Sequence, residues 1–431
     1  METDYRESLD YLYGLQFFGI KLGLDNIRSL LAAVGNPQDS LRSIHIAGTN
    51  GKGSTAAALA SIFHAAGIPA GLYTSPHLHD FSERIRIDTR QIDQNEVVAL
   101  IRELRPHADS LRATFFEFTT AMALLSFQRH GVEWAILETG MGGRLDATNA
   151  VTPELCLLTS ISLDHTAYLG DSLAAVAAEK AGIFKPGTPV LSVAQPPEVM
   201  AVLQDRATEL SVPLAFEGEA YLWESQGETF SCFGPGFSLE RVMPTLPGPT
   251  LQQNLALATA AIDTLRGKGL TIGPDSIRRG LESVCWPGRL EWLPGRVLLD
   301  GAHNPAGAAS LASYLRREKL TAVHLVVGCK GDKDAAELLS ALLPFTARVY
   351  ATCPPVDKAI DPELLAQQAQ AVGVPAVACA DPAVAIQTAL KQRHEDEVVV
   401  VAGSLFLVAA ARELLLADTS VLPIVSRPPS R

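Results

Sequence analysis

The sequence predicts an α/β protein: a P-loop parallel-sheet domain followed by a smaller Rossmann-like α/β domain. Three observations carry this expectation. Apolar runs of strand length alternate with helical stretches along most of the chain, the pattern of parallel strands covered by crossover helices. Glycine-rich or polar loops follow those runs at the carboxyl ends, where open α/β sheets bind ligands. The stretch WPGRLEWLPGR (286–296) breaks the alternation with Pro and Gly and marks a boundary. The expected domains are residues 1–290 and 297–431.

The elements follow in order. Ser43 to Ala47 is an apolar run ending at a glycine loop. Ser54 to Ala66 reads as a helix with Ala58, Leu59, Ile62, Phe63 and Ala66 on one face, and Gly67 stops it. Ala70 to Thr74 is the next strand, completing a βαβ unit. Trp134 to Leu137 ends at Glu138, before TGMGGRLDATN, and Leu155 to Thr159 ends before SLDHTAYLGD. A helix follows from Ser172, then a strand from Pro189 to Val193. Residues 214–250 are rich in Gly, Pro and aromatics and predict a small antiparallel excursion; helix resumes from Leu251 to Leu265. Beyond the boundary, strands are expected at Val297 to Leu299, Ala322 to Val327, Arg348 to Thr352 and Glu397 to Val401, with helices between.

Composition narrows the function. At 47% hydrophobic residues, a chain of 431 residues is no disordered segment. Its net charge of −12 disfavours a general nucleic-acid binder. Six scattered cysteines without a C-x-x-C disfavour a disulfide framework or a zinc site. METDYRESLD lacks the apolar region of a signal peptide, and no apolar run approaches the ~20 residues of a membrane span. A cytoplasmic monomer is expected, with no membrane or nucleic-acid partner.

HIAGTNGKGST (45–55) resembles a phosphate loop but departs from G-x-x-x-x-G-K-[ST]. Lys52 is followed by Gly53, and the hydroxyl comes one residue later, at Ser54. Backbone N–H groups of such a turn at a helix N-terminus hold phosphate, with the lysine as a point charge; a plain strand-to-helix turn is the alternative. Glu138 ends a strand expected to be buried, where a carboxylate needs a partner: magnesium, or a structural ion pair with Arg144. His165 in LDHTAYLG is a ligand or a structural loop residue, and Asp164 beside it a possible cap. Lys180 lies on a helix, ordinarily a solvated place, yet its neighbours are mostly Ala, Ile and Phe. DGAHNP (300–305) packs an acid, a histidine and an amide into one turn, for substrate binding or for capping.

Taken together, eight motifs occur in one order: GTNGKGS (48–54), YTSPHL (73–78), TFFEFTT (114–120), LETGMGGRLDATN (137–149), LDHTAYLG (163–170), EKAGIFKPG (179–187), PGRLE (287–291) and DGAHNP (300–305). The chain resembles the bacterial folylpolyglutamate synthase/dihydrofolate synthase family of the Mur ligase superfamily over nearly its whole length. The resemblance implies a P-loop ATPase domain and ATP-dependent amide formation. A pterin-bearing carboxylate takes the γ-phosphoryl group of ATP, and the amine of L-glutamate displaces phosphate from the acyl phosphate. It implies ATP and Mg2+, and as substrates dihydropteroate, reduced folates and L-glutamate. Asn50, Gly51, Lys52, Gly53, Ser54, Asn254, Arg289 and Asp300 would bind ATP. Ser75, Glu138 and His165 resemble the magnesium ligands. Lys180 resembles the lysine that the family carbamylates with CO2. Thr114, Phe115, Phe116 and Glu117, with Leu145, Asp146 and Ala147, match pterin-binding segments. His303 and Ser404 stand on the glutamate side. Lys52, Lys180, His165, Asp300 and His303 form the implied catalytic set. IKLGLDNI (20–27) resembles the dihydropteroate-binding loop of bifunctional members.

Other readings make other demands. A UDP-muramoyl peptide ligase usually carries an extra N-terminal domain, and the chain before His45 is shorter than a typical domain of ~50 residues or more. Polyglutamylation alone would leave dihydropteroate unused. A P-loop ATPase switch would hydrolyse ATP without glutamate. A degenerate ligase fold used as a binding module would have no need of Lys52, Glu138, His165 and Lys180 together.

Overall fold

The computed structural model describes residues 2–19, 23–331 and 334–416. The chain forms two compact units. The first runs to Pro244 and includes Gln252–Val284; the second takes in Thr245–Leu251 and the chain from Cys285 on. Ile20, Lys21 and Leu22 of IKLGLDNI lie outside the described residues. Among the described residues no helix is long and apolar enough to cross a membrane.

In the first unit, β1 (Arg42–Ala47), β2 (Ala70–Tyr73), β3 (Ile85–Ile87), β4 (Arg90–Gln91), β5 (Trp134–Glu138), β6 (Leu155–Leu158), β7 (Val190–Ser192) and β8 (Leu214–Phe216) form one sheet. Its order is β4-β3-β2-β5-β1-β6-β7-β8. The strands from β2 through β8 in that order are parallel, and β3 and β4 add an antiparallel edge. Successive residues of a strand face opposite ways. Ala135 and Leu137 join Phe118 and Met122 in one core, while Trp134 meets Phe63 with ring centroids 5.5 Å apart.

The loop helix starts at Lys52 rather than Ser54 and runs to Ala65. It is buried all round from Ser54 to Phe63, so the single apolar face expected from its periodicity is too narrow. The reason is a second cover. Helix Pro274–Ser283 lies on its outer side, where Ser61 Oγ donates to the Gly280 carbonyl at 2.7 Å. A Cβ at Gly280 would collide with the Ile62 backbone. Ala66 falls beyond the helix, and Gly67 at φ +71° turns the chain away.

The antiparallel excursion is β9 (Leu222–Gln226), β10 (Thr229–Gly234) and β11 (Phe237–Val242). Its expected start at 214 is corrected: β8 pairs parallel with β7 and closes the main sheet. Three residues of strand are too short to show a period.

The second unit holds β12 (Glu291–Leu293), β13 (Val297–Leu299), β14 (Val323–Val327), β15 (Thr346–Ala351), β16 (Ala376–Ala378) and β17 (Val399–Ala402), ordered β12-β13-β17-β14-β15-β16. All pairs are parallel except β12 with β13. β12 lies inside the stretch whose Pro and Gly suggested a domain boundary. Those residues make a hairpin turn instead, with Gly295 at φ +76° and Arg296 at φ +58°.

Candidate active site

The predicted residues fall into two clusters, one in each unit. In the first, Gly48–Gly51 join β1 to the loop helix. Gly48 (φ +151°) and Gly51 (φ +95°) adopt conformations that favour glycine. A side chain at Gly48 would strike Thr159, and one at Gly51 would strike Asn254. The N–H groups of Thr49 and Asn50 donate to the Ser160 carbonyl at 2.8 and 3.3 Å. Lys52 Nζ folds over the loop, donating to the carbonyls of Gly48 (3.1 Å) and Thr49 (3.2 Å). Ser54 Oγ donates to the Gly51 carbonyl at 3.0 Å and accepts from Asn254 Nδ2 at 2.9 Å. Asn254 thereby fixes the hydroxyl that stands one residue late in the motif. With Gly53 in its first turn, the helix presents its N-terminal N–H groups at this loop, where anions bind.

Lys180 is buried, not solvated. It lies in the last turn of helix Leu173–Ala181, and its Nζ donates to the Gly48 carbonyl at 2.7 Å. Burial first, and the Lys52 ammonium second, push it down to about 7, against the pull of Asp164 and Asp146. Burial and the Lys52 charge both favour the unprotonated amine.

Glu138 ends β5 in register with Ile46 of β1, just before the glycine loop. It is buried, and Oε2 accepts the Ser75 N–H at 3.1 Å. Arg144, the partner proposed for it from sequence, instead donates to Glu179 at 2.8 Å. His165 follows β6 with φ +51°; its N–H donates to Asp164 Oδ1 at 2.8 Å, and its ring stands 4.0 Å from the same oxygen. Among the described residues no group of three or more His, Cys, Asp and Glu side chains is placed to hold a metal. The structure brings Ser75 and Glu138 together and sets His165 on the loop after β6, with its side chain 40% exposed. A hydroxyl and a carboxylate still suit magnesium, which keeps waters and phosphate oxygens as its other ligands.

Phe115 and Phe116 pack against the apolar cluster that contains Ala147. Phe116 lies against Gly140, where a Cβ would enter its ring, and 5.9 Å from the ring of Tyr73. Phe115 stacks on Tyr13 at 6.0 Å. Thr114 and Glu117 are buried and engage each other in a capping box on helix Phe115–Arg129. Asp146 accepts the N–H groups of Met141 (2.9 Å) and Thr148 (3.0 Å) and the Thr148 hydroxyl. Burial raises its carboxyl, and these bonds oppose the rise. Ala147 is buried beside it, and Leu145 is half-buried.

In the second unit, Asp300 follows β13. Oδ2 accepts the Leu290 N–H and Oδ1 the Ala302 N–H, both at 2.9 Å. Burial raises this carboxyl, opposed first by Arg289. The Arg289 guanidinium lies over Gly301, where a Cβ would strike it. His303 Nδ1 bonds the Gly301 carbonyl at 2.8 Å; a carbonyl only accepts, so Nδ1 carries the proton. Asn304 caps helix Pro305–Arg317. Ser404 caps helix Leu405–Leu415, accepting from the Phe406 N–H at 3.2 Å. The Gly403 N–H donates to the Ala302 carbonyl at 2.8 Å.

Arg84 escaped the sequence reading. It is buried, donates to His77 Nδ1 at 2.8 Å and sits 5.1 Å from the Phe115 ring centroid. Its signal was a charge between the apolar Phe81 and Ile85. His45, inside β1, was missed too. Burial and Lys185 push it down to about 3, so its neutral ring bonds the Thr148 hydroxyl at 2.8 Å, behind Asp146.

The Mur ligase middle domain matches residues 46–262, and the Mur ligase glutamate ligase domain matches 288–405. A probable bifunctional folylpolyglutamate synthase/dihydropteroate synthase of Haloferax volcanii is 36% identical over 425 residues, covering 95% of this chain. The chain spans about half the length of that relative (50%). The dihydrofolate synthase/folylpolyglutamate synthase of Escherichia coli is 33% identical over 419 residues, 96% of each chain. A structure of Mycobacterium tuberculosis folylpolyglutamate synthase complexed with ADP and AMPPCP superposes with a TM-score of 0.89 at 32% identity, over 96% of this chain and 99% of that one.

Proposed function

The chain belongs to the folylpolyglutamate synthase/dihydrofolate synthase family of Mur ligases, and on that premise we propose that it joins L-glutamate to dihydropteroate and to reduced folates at the expense of ATP. The observation that carries the reading is the glycine loop, with Lys52, Ser54 and Asn254 around it and Lys180 bound to its Gly48 carbonyl. The first unit carries the ATP-binding part and the second the glutamate-ligase part, so the division expected after residue 290 falls after Val284.

The chemistry starts from a carboxylate, a poor electrophile. Its oxygen attacks the γ-phosphorus of ATP, the bond to the ADP oxygen breaks, and an acyl phosphate and ADP result. The glutamate amine attacks the acyl carbon, phosphate leaves, and an amide remains. Lys52 and the loop N–H groups offset charge on the transferring group. Asn50, Gly51, Gly53 and Ser54 orient the phosphates; Asn254 holds Ser54. Ser75 and Glu138, with His165, would hold magnesium, which when bound neutralises phosphoryl charge.

The unprotonated Lys180 amine attacks CO2, its nitrogen gives up one proton to solvent, and a carboxylate-bearing carbamate stands where the amine stood. Phe115 and Phe116, with Leu145, Asp146 and Ala147, receive the pterin. Arg289 and Asp300 serve the nucleotide, and His303 and Ser404 the glutamate. The protein works as a monomer in the cytoplasm on small molecules.

The test is chemical trapping. With ATP, magnesium, dihydropteroate and hydroxylamine in place of glutamate, the acyl phosphate is expected to yield a pterin hydroxamate. ADP release without hydroxamate would exclude the acyl-phosphate route.

A further inference from the structure

Arg289 stands between two residues in the left-handed region, Gly288 at φ +73° and Leu290 at φ +45°. A leucine there is held by its surroundings rather than by preference. Three bonds hold it. The Leu290 N–H donates to Asp300 Oδ2 at 2.9 Å. The Gly301 N–H donates to the Gly288 carbonyl at 2.8 Å. The Gly288 N–H donates to Glu291 Oε2 at 2.6 Å.

Glu291 is itself committed on both oxygens. Oε1 accepts from Arg412 Nε at 2.9 Å. Arg412 arrives from the helix Leu405–Leu415, and both side chains are buried, at 1% and 2% exposure. Only a carboxylate offers two acceptor oxygens here; a glutamine in its place would offer one and present an NH2 to either Arg412 or Gly288. Burying two charges is poor stabilisation compared with apolar packing, so the pair needs another reason to be there.

We infer that the buried Glu291–Arg412 pair is the positioning device of Arg289, fixing the Gly288–Leu290 turn so that the guanidinium is set over Gly301 beside Asp300. Glu291 and Arg412 touch no substrate; they act through the turn. This rests on the reading that Arg289 serves the nucleotide, and the experiment separates the two claims.

ADP binding to the full chain is measured by titration calorimetry for wild type, R289A, E291Q, the double variant E291Q/R289A, and E291M/R412M. The last replaces both charges with apolar side chains and so keeps the fold without the pair. R289A is expected to weaken ADP binding by about tenfold, the scale of a lost charge-assisted contact. E291Q and E291M/R412M are expected to weaken it similarly, and E291Q/R289A no further than R289A alone, because coupled residues do not add. A general loss of structure would instead add to the R289A effect. Wild-type binding by E291M/R412M, or additive losses in E291Q/R289A, with R289A weak, would overturn the positioning role alone. Wild-type binding by R289A would overturn both claims, beginning with the nucleotide role of Arg289.

Discussion

The Lys180 Nζ donates to the carbonyl of Gly48 at 2.7 Å, which ties a helix lysine directly to the glycine loop. That lysine is buried and pushed down to about 7 by burial and by Lys52. Its ammonium form prevails below that value and its free amine above it. Only the free amine attacks CO2, so carbamate formation should rise as pH passes upward through about 7 and vanish in acid. Carbon NMR with isotope-labelled bicarbonate reads this directly: one carbamate resonance in wild type, growing from pH 6 to pH 8, and absent in Lys180→Ala. Turnover of Lys180→Ala is expected to fall by about a hundredfold, with partial rescue by short carboxylic acids. Wild-type turnover would remove Lys180 from the mechanism.

Gly51 at φ +95° leaves no room for a Cβ beside Asn254. Gly51→Ala is therefore expected to cost about 1–3 kcal/mol of stability and to weaken ATP binding, because relieving the collision displaces Asn254 from Ser54. Urea unfolding and ATP titration check the two effects. A variant as stable as wild type with normal ATP affinity would show that the loop tolerates a side chain.

Glu138→Gln keeps an oxygen for the Ser75 N–H and loses the charge. The thermal midpoint should move little, while the magnesium concentration for half-maximal turnover should rise by about tenfold. An unchanged magnesium dependence would make Glu138 a structural residue.

Glu117 and Phe115 are neighbours with different expected signatures. Glu117→Ala breaks the capping box and should cost about 1 kcal/mol with a small change in the pterin KM. Phe115→Ala should raise the pterin KM severalfold with little change in that for ATP. The reverse pattern would assign the pterin contact to the acid.

These residues also show what the sequence could tell. The glycine loop, Glu138 and the strand ends were legible because chain order places a loop at each carboxyl end of a parallel sheet. T-x-x-E at 114–117 carries a capping signature that local pattern alone reveals, and the structure forms that capping box. The burial of Lys180 was hinted at only by its Ala, Ile and Phe neighbours, because burial depends on packing distant in sequence. Arg412 and Glu291 lie far apart in the chain, and local pattern has no means of pairing them. β12 was hidden by the Pro and Gly of its own turn.

The most direct test of the ligase reading is ADP release by the purified protein with ATP and magnesium. Dihydropteroate and then tetrahydrofolate are supplied, each with and without L-glutamate. ADP release is expected to require L-glutamate with either pterin, with amide product in equal amount. ADP release indifferent to glutamate and to both pterins would contradict the ligase reading and leave an ATPase on a ligase fold.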